Sequence, residues 1–220
     1  VTGVSTNNVF RGLTIKSNGT GFGTGIKFGG AAVDANRIVS NRFLRSVSGI
    51  QGTGVEIVDG DRNVVTNCEV ARHPGSAILL LGDASSNTLV GNISRSNGAS
   101  TSSEGAISLE SSWTRANRIE GNRVHGARQS DYGVKVGGPR NILTNNFITN
   151  CRINGVYLWG FMGAETNVVA GNAIVSNATN GIFMSLGSPR GNLLAKNTIL
   201  GMGVQINGIK LASGLKTTIS

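Results

Sequence analysis

The 220-residue chain is long enough for one sizeable core, and no stretch of it has the composition of a linker between two domains. Its 33 Gly, abundant Asn and only 3 Pro disfavour helices and favour strands and tight turns. Lys and Arg total 20 against 11 acidic residues, a net charge of +9, which suits a polyanionic partner; no apolar run approaches the roughly 18 to 20 residues of a membrane span, and two cysteines are too few for a disulfide framework.

Taken along the chain, one block repeats. Asn-x-aliphatic-x-x-Asn opens at Asn36, Asn87, Asn117, Asn141, Asn167 and Asn192, closing five residues later each time, and degenerate copies run from Asn7 to Gly12 and from Arg62 to Asn67. Successive blocks start 24 to 30 residues apart, so eight repeats fill the chain. After each block comes a small residue followed by aliphatic-x-apolar: Gly25 to Phe28, Gly54 to Ile57, Ala77 to Leu80, Ala106 to Leu109, Gly133 to Val136, Gly155 to Leu158, Gly181 to Met184 and Gly208 to Leu211. Period two means strand.

The pattern predicts a right-handed parallel β-helix of about eight coils, an all-β solenoid with three short strands and three turns per coil. One domain covers residues 1–220, with coils from about 7 to 213, and is expected to be a fragment of a longer chain whose other segments or subunits cap its ends. The first aliphatic of each block (Val9, Ile38, Val64, Leu89, Ile119, Leu143, Val169, Leu194) should point inward. The closing residues Asn41, Asn67, Asn92, Asn122, Asn146, Asn172 and Asn197 should form a ladder of stacked amides with a structural role. Cys68 and Cys151 fall three coils apart, too far to bond.

Tandem blocks such as Asn117-Arg-Ile-Glu-Gly-Asn122 followed by Gly133-Val-Lys-Val136 resemble the β-helix repeats of the pectate-lyase-like superfamily, over residues 7 to 213. That resemblance implies the fold and leaves function open among polysaccharide lyases, hydrolases, esterases, epimerases, copper-maturation proteins and phage tailspikes. The paired Asp and Gly-His-Gly of the hydrolases, the Asp-Pro-His-Glu of the alginate epimerases and the Asp-His of the pectate lyases are all missing. Scattered Cys, His and Met give no metal cluster, and no cofactor is expected.

A phage tailspike or appendage is most similar in what remains, an extracellular or virion-borne homotrimer that recognises bacterial, acidic polysaccharide. The third strand supports this with an outward column Lys27, Glu56, Leu79, Ser108, Lys135, Tyr157, Phe183 and Lys210, and with Trp159 two residues beyond Tyr157. Outward aromatics stack on sugar rings or face another subunit. A second strip is expected from Arg45, Arg72, Arg95, Arg128 and Arg152, each a few residues after a ladder Asn. Substrate contact is therefore assigned to Arg72, Lys135, Tyr157 and Trp159.

The alternative is a secreted lyase or glycoside hydrolase. Hydrolysis needs two carboxyls about 5 to 9.5 Å apart, and the corner after the third strand offers Asp59, Asp61, Asp83 and Glu110, of which Asp83 and Glu110 are the candidate catalytic pair. Turn duty is the plain reading of the same Asp residues. Elimination would draw instead on Arg72, Lys135 and Glu56. Nucleic acid is a poor fit, since aromatics are few and no helix presents the arginines to a groove.

Overall fold

A computed structural model describes residues 5–17, 23–30, 32–45, 52–97, 105–126, 131–159, 163–185, 187, 190–201, 203, 205–212 and 217–220. The chain winds as a right-handed parallel β-helix. A first sheet of nine strands runs from Val9–Arg11 to Thr218–Ile219, a second of eight from Thr14–Ser17 to Thr198–Leu200, and a third of eight from Ile26–Gly29 to Asn207–Leu211. Each strand pairs in parallel with its equivalent in the next coil, for example Leu89 with Ile119 and Ile119 with Leu143.

The two degenerate blocks sit one residue later than the sequence pattern suggests. Phe10 and Val65, not Val9 and Val64, stand in register with Ile38. Val9 is accordingly 59% exposed and Val65 fully buried. The same shift removes Asn67 from the ladder, where Cys68 takes its place: the Cys68 amide donates to Asn92 Oδ1 at 3.0 Å and its Sγ lies 3.6 Å from the Ile38 carbonyl.

The reason is local. Asn67 adopts φ 54°, and so do its equivalents Ser40 at 55° and Asn145 at 57°. One left-handed residue precedes each ladder position and turns the chain from the first sheet into the second. Asn tolerates that conformation better than most residues, so it is favoured at both neighbouring positions.

Two amide ladders flank each first-sheet strand. One contains Asn36, Asn63, Asn87, Asn117 and Asn141; the other contains Asn92, Asn122 and Asn146. In the second, Asn122 Oδ1 accepts from the Asn92 amide at 2.9 Å and from Asn92 Nδ2 at 3.0 Å, while Asn122 Nδ2 donates to the Leu89 carbonyl at 2.9 Å. Every bend thus satisfies backbone groups that the coil geometry would leave unpaired.

The core is a single stack of aliphatics inside the coils, with Ile38, Ile57, Leu80, Leu89, Leu109 and Ile148 fully buried among others. The glycine opening the third strand at Gly25, Gly54, Gly133, Gly155 and Gly181 has a steric cause. A Cβ on Gly133 would collide with the Ile148 side chain and sit 2.6 Å from the Gly155 carbonyl oxygen. Cys68 and Cys151 are both free and buried, as their separation predicts.

Candidate functional site

The third sheet presents the predicted outward column in register: Lys27 pairs with Glu56, Lys135 with Tyr157, Tyr157 with Phe183 and Phe183 with Lys210. Alternation along each strand sends Val134, Val156 and Ile182 into the core and leaves this column on the outer face. Over its last four coils the column becomes a continuous stack. Tyr132 lies 4.6 Å from Tyr157 between ring centroids, Tyr157 lies 5.4 Å from Phe183 with the planes only 6° apart, and Lys210 Nζ sits 5.7 Å from the Phe183 ring.

Beside the stack is a charged group. Lys135 Nζ donates to Glu110 Oε2 at 2.8 Å and lies 4.4 Å from the Trp159 ring centroid. The Lys135 side chain is only 6% exposed and that of Glu110 17%. Such burial is tolerated because each charge is paired and the ammonium also meets an aromatic face. Glu110 Oε1 is buried without a hydrogen-bond partner among the described residues, so one carboxylate oxygen of the pair is unsatisfied.

Asp131 pairs with Arg152 next to Tyr132. Burial, and secondarily the nearby Tyr157, Asp131 and Glu110, push the Tyr132 hydroxyl up to about 12. Like any tyrosine hydroxyl it is protonated and a hydrogen-bond donor at neutral pH, and the shift extends that range further into alkali. Beneath the strip the buried Asn154 and Asn180 and the partly buried Asn207 form a further amide ladder, with Asn180 Nδ2 donating to Asn154 Oδ1 at 2.6 Å and Asn207 Nδ2 to Asn180 Oδ1 at 2.7 Å.

The structure brings four of the assigned residues onto one face: Glu110, Lys135, Tyr157 and Trp159. It separates the other two. Leu109 stands opposite Leu80, and the Glu110 amide donates to the Leu80 carbonyl, which sets Glu110 opposite Leu81 and two residues short of Asp83. The two carboxylates do not share a column. Asp83 lies at the turn, bound to Arg115 at 3.0 Å, with its amide donating to Asp59 Oδ1 at 2.9 Å. Asp61 has the turn duty its type suggests, accepting from the Ser85 amide and hydroxyl at 2.8 and 2.7 Å.

Arg72 lies on another face, in a depression with Lys16, Glu69, Arg95 and His125. The predicted arginine strip does not form one column: Arg95 stands opposite Ala71 and not Arg72, and Arg152 is committed to Asp131, while Arg128 lies outside the described residues. Counting offsets from the ladder Asn cannot place these residues, because the stretch between second and third strands varies in length. Reading the second strand's own alternation, Arg42-Phe43-Leu44 or Arg123-Val124-His125, would have found the outward positions. Tyr132 and its contact with Tyr157 also escaped the sequence reading, since Tyr132 precedes the small residue on which the repeat was aligned.

Among the described residues no three His, Cys, Asp or Glu side chains gather as a metal site would require, and no helix is long and apolar enough to cross a membrane.

Solved structures with a similar fold include an alginate lyase from a Paenibacillus species, 14% identical with a TM-score of 0.59 over 88% of this chain and 79% of that one. The A-module of the mannuronan C-5 epimerase AlgE4 of Azotobacter vinelandii is 15% identical, with a TM-score of 0.58 over 86% of this chain and 65% of that one. A variant of the periplasmic alginate epimerase AlgG is 13% identical, with a TM-score of 0.55 over 84% of this chain; the chain spans 50% of that structure's length. At such identities the likeness is one of fold. No curated protein matches by sequence. The sequence model described as the right handed beta helix region matches residues 2–130 and 100–220, and the chain belongs to that family.

Proposed function

We propose that this β-helix recognises a polysaccharide by seating it along the aromatic strip of the third sheet. The observation that carries this reading is the Tyr132, Tyr157 and Phe183 stack, one ring per coil on an outer face. Coils repeat every ~4.8 Å, so successive rings offer platforms spaced to follow an extended sugar chain. The similar structures named above are alginate epimerases and an alginate lyase, and the net charge of +9 suits an acidic glycan of that kind.

The placement we propose is on a phage tailspike or appendage, extracellular or on the virion, as a homotrimer that binds a bacterial surface polysaccharide. Support comes from the missing catalytic motifs of the enzymatic groups and from the last coils of the first sheet's outer face, where Ile142, Val168 and Leu193 stand in one column and Ala170 and Ala195 in the next, all at least partly exposed, in contrast to the charged Arg37, Arg118 and Glu120 of earlier coils. An apolar sheet face of that extent suits contact with another subunit.

A second reading, a secreted lyase or hydrolase, is favoured by the unsatisfied Glu110 Oε1 beside Lys135. In it Glu110 works at the sugar, Asp83 assists from the neighbouring turn, and Lys135 and Tyr132 supply the positive charge and the proton donor. Binding to a panel of acidic and neutral polysaccharides, with reducing-end and unsaturated-uronate assays alongside, separates the two. Binding without product, lost in the Tyr157→Ala, Phe183→Ala double variant, supports recognition alone. Turnover abolished by Glu110→Gln with Asp83→Asn assigns the enzyme. Binding that survives loss of both rings overturns the aromatic strip as the site.

A further inference from the structure

The outer face of the second sheet is a separate surface with different chemistry. Its two outward columns are in register. One carries Arg42, Glu69, Ile93, Arg123 and Phe147 on successive coils, and the other carries Lys16, Leu44, Ala71, Arg95 and His125. Two depressions of about 420 and 560 Å³ lie along this face and share Arg95 and His125, so they form one groove running across the coils.

The groove is cationic. Lys16, Arg72, Arg95 and Arg123 line it and are exposed, against a single carboxylate, Glu69. That carboxylate does not cancel the charge; it organises it. Glu69 Oε2 accepts from Arg42 Nε at 3.1 Å and Oε1 from Arg95 Nε at 3.4 Å, which fixes two guanidinium groups while leaving their terminal nitrogens able to bind. Arg123 is set in place by the Phe147 ring, 5.8 Å from its guanidinium carbon. An arginine held by its Nε presents its outer edge as a fork for a carboxylate.

Apolar surface lies between the cations: Leu44, Ala71 and Ile93 make up part of the groove wall, and Phe147 is 40% exposed at its end. A chain that alternates carboxylates with carbon-rich rings fits this alternation. Nucleic acid would need a run of stacking platforms, and this face offers two rings, His125 and Phe147, among its described residues.

We infer that the second-sheet groove is a binding site for an acidic, uronate-type polysaccharide, distinct from the aromatic strip, with Arg72, Arg95 and Arg123 as the carboxylate contacts. The inference rests on the carbohydrate reading for the class of ligand but not for its place. With two faces engaged, one β-helix holds two stretches of glycan at once, so affinity for long chains exceeds that for short ones.

The test uses oligogalacturonate, a neutral cello-oligosaccharide and oligothymidylate as probes on the whole chain. The groove variant is Arg72→Gln with Arg123→Gln, two side chains with no ion pair among the described residues, and the strip variant is Tyr157→Ala with Phe183→Ala. Unchanged urea midpoints for the groove variant establish that it folds. Oligogalacturonate should bind more weakly as salt rises, lose roughly tenfold or more in affinity in the groove variant, and protect the amides of Glu69–Ala71, Ile93–Arg95 and Arg123–His125 from exchange. Binding of the neutral sugar should be unaffected by the groove variant.

Oligogalacturonate binding that is unchanged in the groove variant and lost in the strip variant overturns the groove and leaves the strip standing. No binding of oligogalacturonate overturns the groove, and the neutral sugar then reports on the strip by itself. Tighter, groove-dependent binding of oligothymidylate than of oligogalacturonate overturns the sugar assignment and makes the groove a nucleic-acid surface.

Discussion

Two corners of the coil differ in what they tolerate. Between the first and second strands every described coil uses the same device, a left-handed residue followed by a ladder position, over a fixed number of residues. Between the second and third strands the length changes from coil to coil, from four residues between Thr149 and Asn154 to nine between Arg95 and Gly105. The constant corner is built from buried amides that bond to coils on both sides, so a change there disturbs three coils. The variable corner carries exposed residues such as Arg72 and Arg152, and chemistry-bearing residues such as Tyr132 and Asp131 appear where it ends.

The largest break in that comparison should come from Asn122→Ala. Asn122 is 1% exposed, and its side chain bonds to Asn92, Asn146 and Leu89. Its removal leaves several buried groups unpaired, at about 1 to 3 kcal/mol each before relaxation, for an expected loss of about 3 to 4 kcal/mol in urea unfolding. Asp83→Ala, from the corner between the third strand and the first strand of the next coil, is the control. Its pairing with Arg115 is half exposed, so the expected cost is under about 1 kcal/mol. Equal costs for the two would mean that the ladder is not what holds the coils in register.

How much of this was legible follows from the same contrast. The coil count, the three-strand rung and the outward column through Lys135, Tyr157 and Phe183 were readable, because each depends on a residue type that sterics or burial imposes in every repeat. The register of the degenerate coils was not. Asn67 carries the expected residue at a position that needs a left-handed backbone, while Cys68, a small apolar thiol, occupies the amide's place with only a weak donor. Sites were harder again. Glu110 could be picked out as an acid near a corner, but its partner depended on register, and register gave it Lys135 rather than Asp83. The groove on the second sheet was legible only in part: Arg72 and Arg95 belonged to the expected basic strip, but Lys16 and Arg123 did not, because the groove's cations occupy different columns on different coils and repeat in no sequence pattern.

A smaller effect sharpens the role of the outer third-sheet face. Lys135→Met removes the cation that pairs with Glu110 and leaves a carboxylate largely shielded from water. Breaking such a pair costs about 3 kcal/mol when fully buried, and the 17% exposure of Glu110 lowers the expectation to about 2 kcal/mol. Lys135→Met combined with Glu110→Gln should recover part of that loss, because no lone charge remains. A double variant as unstable as the sum of its parts would show that the two side chains act independently, and the site would lose its charged half.

The smallest expected effect is a pH dependence confined to alkaline solution. Tyr132 ionises at about 12 in the folded chain, mainly because burial penalises the phenolate, against the usual 10.0 of a tyrosine hydroxyl. The folded state therefore binds the phenolic proton more tightly than the unfolded state does. Its contribution to stability is fully present below pH 10 and is lost as pH rises from there through about 12. Tyr132→Phe removes the titrating group and keeps the ring against Tyr157, so the difference in urea midpoint between the variant and the parent chain should change across that window and be flat below it. A parallel pair of curves through pH 12 would place the Tyr132 hydroxyl in water, away from the influence of the Glu110 and Asp131 carboxylates, leaving the aromatic strip with a freely solvated hydroxyl at its head.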